Sequence, residues 1–479
     1  MSNLEFDEKL TAIDQLYTQT EQLLQNYREY LGSAYESALR DKCMENIKQM
    51  EHYSQVSGVE LGSFTQTMEY VLGKPEATQN VSLMEEMILR LQQNIKKMYL
   101  AAICDEGTYR KVKLENYYGT AYGKKALICY IVYPFLYPNA AVGHTNQQEA
   151  RMMAQILREM GYDIDIINTR YTGELIPDEY EVMIGSGSAF DDACSRCVGG
   201  TKKIYYLTEA SPYFANVAEL QRLRNFQKRN HCELPFERQA NNRFDLQTLA
   251  LMDAAICIGN QWTMSTYEGM FQKIYPLDVS GFQLNIQPDF ESEIGNMQKN
   301  FMWYGGAGPV HKGLDLCIEA FRKLPDLNLH IVGEPNEKFY DFYRKDIEEG
   351  QNIYYYGFLN KDSQEFLDVC KTCAYCVSPS CSEGQSTSVL TAMFAGMIPV
   401  CTVQTGIDLE KCGGVYIEDI EIDGVCELLR SLSQYTEDEV KQRRMAAYEY
   451  VCQEHTLDSY RRNMEYILSD IMREKGEEL

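Results

Sequence analysis

Residues 376–401 read CVSPSCSEGQSTSVLTAMFAGMIPVC, and this one stretch holds a strand, a loop, a helix and the start of the next strand. The apolar run Tyr375 to Val377 breaks at Ser378-Pro379-Ser380, and Glu383-Gly384 then exposes one acid. Val389, Leu390, Ala392, Met393 and Ala395 read as an apolar helix that Gly396 stops, after which Ile398-Pro399-Val400 resumes as strand. In a parallel sheet such a unit leaves its loop and helix N-terminus at the carboxyl edge, where ligands bind. Ser386, Thr387 and Ser388 offer hydroxyls there, while free backbone N–H groups and the helix dipole attract an anion such as phosphate. This reads as a cradle for a sugar phosphate or a nucleotide. The competing reading is a Ser-rich loop that only caps a core helix.

The same rhythm extends in both directions. Upstream, Asn300 to Gly306 and Leu327 to Val332 are strands separated by a helix over Gly313 to Leu324, and Asn352 to Tyr356 is a further strand. An earlier series starts with ALICYIVY at 126–133, a continuous β-rich run of the kind buried in parallel sheets. It continues through a loop containing Gly143-His144-Thr145-Asn146, a helix closed by Gly161, and strands at 163–167, 181–185, 203–208 and 254–259. Two doubly wound α/β halves in series leave a cleft between their carboxyl edges. The tail is helical from about Glu437 to Glu474, with Thr436 and Glu439 spaced as a capping box, and is long enough to pack across both halves.

The first 120 residues differ in kind. Phe6, Leu10, Ile13, Tyr17, Thr20, Leu24, Tyr27 and Leu31 recur at alternating steps of four and three, placing a mostly apolar seam along one long helix. Further helices are expected over 34–55 and 82–102, with a loop-rich interval from Gly58 to Pro75. A heptad-like seam pairs between chains as easily as within one, so these helices read either as a structural appendage or as a module for self-association or a protein partner.

A chain of 479 residues exceeds what one core usually serves. The formal net charge of -25 repels nucleic acid and anionic lipid, so no nucleic-acid partner is expected. Basic residues cluster at Gln221 to Arg238 (QRLRNFQKRNHCELPFER), which reads as a solvated helix face. No uncharged apolar run reaches about 18 residues and no signal peptide opens the chain, so a cytoplasmic protein without an integral membrane span is expected. Sixteen cysteines scattered through apolar segments favour reduced core thiols; the spacing of Cys370, Cys373, Cys376 and Cys381 approaches an iron–sulfur run but lacks its following proline.

Two pieces taken together resemble a family. WYGGAGPVHKGLDLCIEAF (303–321) resembles the strand, glycine loop, Lys-Gly and helix of GT-B glycosyltransferases, and SPSCSEGQSTSVLTAMFAGMIPV (378–400) resembles their donor-site loop and helix. Glycosyltransferase family 4 is the most similar group. The resemblance covers about residues 300–410, extends more weakly over 126–300 through GHTNQQEARMMAQILREMGYDIDII and YLTEASPYF, and is absent from the first 120 residues.

The resemblance implies a GT-B fold, two Rossmann-like doubly wound domains facing a cleft, here with an N-terminal all-α helical module over 1–122. The acceptor domain would be 123–295, joined by a C-terminal helix at about 456–479, and the donor domain 296–455. The implied reaction moves a sugar from a nucleotide diphosphate sugar to a hydroxyl of a glycan, glycoprotein or glycolipid, with retention, no metal ion and no cofactor beyond the donor. Lys312, after the Gly305-Gly306 loop, would be the cation facing the leaving diphosphate, since fixed cations, amides and a helix N-terminus must stabilise that charge. Glu383 would hold the donor sugar's hydroxyls, with Gly384, Gln385, Ser386, Thr387, Ser388 and Thr391 lining the donor site. His144 would reach the phosphate or acceptor, and Glu209 would orient the acceptor hydroxyl or stabilise the sugar cation; the competing readings are a plain loop histidine and a helix N-terminal acid.

Two departures bear on the site. The family's basic residue in the first glycine loop is Ala307 here, and the second of its paired acids is Thr391. Their absence supports an alternative, a catalytically weak or inactive GT-B subunit that serves a partner in a glycosylation complex.

Overall fold

The computed structural model describes residues 3–33, 35–74, 81–138, 144–240, 246–290 and 294–473. Gly143, Pro75 and the stretch 474–479 of the expected tail helix lie outside these described residues. The chain divides into a helical unit ending at Asp105 and an α/β unit from Glu106 onward.

In the helical unit the long helix Asn3–Gly32 packs on Ser37–Ser57 and on Val81–Ile103. The predicted seam is buried inside the unit: Leu10, Ile13, Thr20, Leu24 and Tyr27 are all under 9% exposed. Its apolar face is therefore covered by other helices of the same unit. The interval expected to be loop contains a fourth helix, Phe64–Gly73, whose Phe64, Met68 and Leu72 recur every fourth residue and are buried. The surrounding glycines masked that short period.

The α/β unit holds two sheets. The first has the order 113–114, 163–168, 125–130, 182–185, 202–207, 254–258, 274–277, parallel except for the antiparallel pairing of Lys113–Leu114 with Ile166–Ile167. That edge strand corrects the expected module boundary at 122. Asn116 N–H donates to Asp165 and Lys113 pairs with the same carboxylate, so residues 106–122 belong to the α/β unit. The strands at 113–114 and 274–277 are too short or too interrupted by Tyr and Pro for periodicity to mark them.

The second sheet is fully parallel, ordered 353–357, 328–332, 300–304, 375–378, 398–401, 415–416. Counted within this sheet the order is 3-2-1-4-5-6, so it reverses between 300–304 and 375–378, where a crevice opens at the carboxyl ends. Lys312 follows the first of these strands and Glu383 the second.

The tail is not one helix. Glu437–Glu454 carries the expected Thr436/Glu439 capping box, the chain breaks at His455, and Leu457–Arg473 follows. His455 is buried with Nδ1 donating to Val279 O, while its own carbonyl accepts from Gly281 N–H. The break thus fastens the tail to the segment linking the two sheets. The last helix returns to the first sheet, where the Tyr460 and Tyr206 hydroxyls meet at 3.1 Å and Asp470 accepts from Lys273 and Tyr275.

The helix Pro212–Asn230 corrects a second expectation. Its basic cluster is solvated only in part: Arg224 and Lys228 are exposed, but Arg222 is buried, and Phe226 is fully buried in the apolar core of the second sheet, beside Phe342 and Tyr343. Arg222 Nη2 donates to Pro379 O at 2.8 Å, and Arg229 binds Asp315 at 2.6 Å and Glu319 at 3.0 Å. A helix that follows a strand of the first sheet is built into the second half.

Candidate active site

Lys312 reaches the cleft because the backbone at Gly313 adopts φ +70 and lies against Pro379; a Cβ there would sit 2.5 Å from the Pro379 oxygen. The two loops of the crevice are thereby brought into contact. Lys312 Nζ lies 2.6 Å from Glu383 Oε1, which also accepts from Ser380 Oγ at 3.0 Å. Burial pushes the Glu383 carboxyl up, but Lys312, Arg238 and His311 outweigh it and pull it down to about 2. Glu383 is a carboxylate at any working pH.

His311 supports this pair from behind. Its Nδ1 lies 3.0 Å from Glu219 Oε2 and its Nε2 2.5 Å from Ser382 O, two acceptors, so both ring nitrogens must carry hydrogen. Burial opposes the charged ring, yet contacts with Cys381 and Glu219 prevail and raise its pKa to about 10.

The two halves meet at Gly384. A Cβ there would lie 2.4 Å from Thr208 O, and one on Gly406 would lie 1.8 Å from Gly384 O, which also accepts from Thr263 Oγ1. Only bare backbone fits this seam. Beside it a cavity of about 240 Å³ is walled by His144, Thr145, Asn146, Glu149, Thr208, Glu209 and Arg238 from the first half and by Lys312 and Glu383 to Ser388 from the second. The geometry therefore gathers Lys312, Glu383, Gly384, Gln385, Ser386, Thr387, Ser388, His144 and Glu209 around one space.

Within that space the roles differ. Ser386 is the N-cap of Thr387–Phe394 but makes no side-chain capping bond, leaving the first turn's amides available to a ligand. Gln385 is committed elsewhere: its amide nitrogen donates to Asp278 and Gly406 O and its oxygen accepts from Val279 N–H. His144 caps Thr145–Glu159, with Nδ1 accepting from Asn146 N–H. In the neutral ring that places the proton on Nε2, and the surrounding protein lowers the ring's proton affinity, although its edge is open. Gly305 packs under Trp303 and Lys312, where a Cβ would lie 2.7 Å from the indole, whereas Gly306 meets nothing within 4 Å.

Thr391 is the exception among the predicted donor residues. Its hydroxyl donates to Thr387 O at 2.7 Å within its own helix, accepts from Phe282 N–H, and is 2% exposed, away from the cavity wall. A side chain this short finds backbone partners before it reaches a ligand. Arg238 is the residue that sequence reasoning missed. It enters the cavity with Nη2 2.8 Å from Glu209 Oε1, and the available signal was the basic cluster at 221–238 in an acidic chain.

Two neighbouring features do not share this chemistry. A cavity of about 490 Å³ between the helix Pro212–Asn230 and residues 402–420 is mostly apolar and contains none of the predicted site residues. Cys370, Cys373, Cys376 and Cys381 are buried, and among the described residues no group of three or more His, Cys, Asp or Glu side chains is arranged to hold a metal ion.

Residues 285–419 match the family model described as Glycosyl transferases group 1. No curated protein matches the chain. Among solved structures, the sucrose-phosphate synthase of Thermosynechococcus elongatus is 13% identical, with a TM-score of 0.51 over 73% of this chain and 100% of that one. WaaG, a glycosyltransferase involved in lipopolysaccharide biosynthesis, is 14% identical with a TM-score of 0.45 over 71% of this chain and 99% of that one. TarM is 15% identical with a TM-score of 0.43 over 60% of this chain, and the match spans 54%, about half, of TarM.

Proposed function

From a GT-B fold that carries a glycosyl transferases group 1 segment at 285–419, we propose a retaining, metal-independent glycosyltransferase of the family 4 type. It moves a hexosyl group from a nucleotide diphosphate sugar to a hydroxyl of a glycan, glycoprotein or glycolipid. The observation that carries this reading is the Lys312–Glu383 pair, 2.6 Å apart at the open N-terminus of Thr387–Phe394 and facing His144 across the cavity.

In this reading the diphosphate lies against the first-turn amides around Ser386 to Ser388, and Lys312 turns from Glu383 onto it. Glu383, freed of that partner, accepts hydrogen bonds from the sugar hydroxyls and fixes the anomeric carbon. The bond from C1 to the β-phosphate oxygen breaks with its electron pair leaving on the phosphate. The acceptor oxygen bonds C1 on the same face, and its proton passes to the departing phosphate oxygen. His144 Nε2–H donates to that phosphate or to the acceptor. Glu209 stands at the acceptor side, held by Arg238. The fixed cations and amides supply the charge stabilisation that a metal gives elsewhere.

The test is nucleoside diphosphate release from a panel of nucleotide sugars without acceptor. Slow hydrolysis of one donor, insensitive to chelator, supports the reading, and NMR of the product's anomeric proton with acceptor checks retention. No hydrolysis of any donor until a partner protein is added supports the inactive-subunit alternative, which the burial of Thr391 favours.

A further inference from the structure

A diphosphate gripped without metal needs more than one fixed cation, and the glycine loop of this chain supplies none, since Gly305-Gly306-Ala307-Gly308 carries no charge before Lys312. Arg238 comes from the other half. Its backbone N–H donates to Glu219 Oε1 at 3.1 Å, as does that of Glu237 at 3.0 Å. The other oxygen of Glu219 holds His311, the neighbour of Lys312. Glu237 Oε2 in turn accepts from Gly308 N–H at 2.9 Å, and its Oε1 accepts from the Asn336 amide. The stem of Arg238 crosses the glycine loop so closely that a Cβ on Gly308 would lie 2.5 Å from Arg238 Cγ. Arg238 is therefore built into the mouth of that loop through its own backbone, its stem and its neighbour Glu237, and among the described residues its guanidinium pairs in the cavity with Glu209, an acid whose side chain is 51% exposed.

We propose that Arg238 is the second diphosphate-binding cation of the site, contributed by the acceptor half and taking the place that Ala307 leaves empty in the donor half. The proposal rests on the donor-site reading above. It has a consequence that a cation on the glycine loop would lack: the diphosphate is held by both halves at once, so donor binding itself draws the cleft together. A planar guanidinium also suits two phosphate oxygens in a way a lysine does not. Glu209 is the resting partner that the diphosphate displaces, which leaves its carboxylate free beside the acceptor.

The experiment measures calorimetric affinity for a nucleoside diphosphate and for the matching nucleoside, on wild type, Arg238→Met, Arg238→Lys, Lys312→Met, and Arg238→Met combined with Ala307→Arg. Arg238→Met should weaken the diphosphate about tenfold or more and lower the salt dependence of its binding, while nucleoside affinity changes little. Arg238→Lys should recover only part of the loss, and Ala307→Arg should restore binding to the Arg238→Met chain. If Arg238→Met keeps full diphosphate affinity while Lys312→Met loses it, the proposal is overturned and the donor site stands. If wild type binds no nucleoside diphosphate of the panel, the donor-site reading falls, and this proposal with it. An Arg238→Met chain that melts far below wild type is replaced in the comparison by Arg238→Lys, for which undiminished diphosphate affinity contradicts the bidentate role.

Discussion

Lys312 and Glu383 stand 71 positions apart in the chain and 2.6 Å apart in space, with side chains only 14% and 10% exposed. Removing one partner leaves a buried charge, so Lys312→Met and Glu383→Gln should each cost roughly 3 kcal/mol of stability, and the double variant less than their sum. Denaturant unfolding of the four chains checks this. The depressed carboxyl adds stability that is present above the unfolded value of about 4.3 and lost as pH falls toward about 2. Glu383→Gln should flatten that acid limb. In turnover, each change should lower the rate more than about tenfold, or about 1.4 kcal/mol of transition-state stabilisation.

Glu149 gives the opposite sign. It is 2% exposed, accepts from both Ser280 N–H and Ser280 Oγ at 2.8 Å, and burial raises its carboxyl to about 7 despite those bonds. A raised acid stabilises the fold fully below its unfolded value of about 4.3, and that contribution is lost as pH rises through about 7. Glu149→Gln should therefore remove a fall in stability of about 2–3 kcal/mol between pH 5 and 8. Melting temperatures across that range are the measurement. An unchanged pH slope would contradict the buried, protonated carboxyl.

Phe226 ties the halves together. It sits on a helix that follows the first sheet's strand 202–207, yet it is fully buried in the core of the second sheet. Phe226→Ala should cost about 3–5 kcal/mol. Val217→Ala, on the same helix but 68% exposed, should stay within about 0.5 kcal/mol. Urea unfolding separates the two.

Where the helical unit ends has a practical consequence. A chain starting at Glu106 keeps the strand Lys113–Leu114, the Lys113–Asp165 ion pair and the bond from Asn116 N–H to Asp165. A chain starting at residue 123 loses all three and leaves Asp165 and Tyr180, which share a 2.7 Å hydrogen bond, at an uncovered sheet edge. The shorter chain should unfold at lower denaturant by roughly 2 kcal/mol or more.

The parallel-sheet rhythm was legible because buried strands such as 126–130 and 375–377 are unbroken apolar runs between glycines and turns. The donor loop was legible for the same reason, being a local unit of strand, loop and helix. The fourth helix at Phe64–Gly73, the edge strand at 113–114 and the break at His455 were not. Each is short, and each is stabilised by partners distant in sequence: the helical unit's core, strand 163–168, and Val279.

The site divides along the same line. The alternation of strands and helices set Lys312 and Glu383 each in a segment after a parallel strand, and the resemblance gave them their roles; the strand order that makes those two edges neighbours is visible only in the folded sheet. Only the tertiary structure decided the fates of Thr391 and Arg238. Thr391 faces backbone instead of ligand, because its short hydroxyl is satisfied by Thr387 O and Phe282 N–H. Arg238, from a stretch that reads as a solvated face, enters the cavity because Glu219 fixes its backbone and Phe226 anchors the preceding helix, Pro212–Asn230, in the opposite half. Contacts between halves are set by packing over long sequence separations, and no local pattern of residues encodes them.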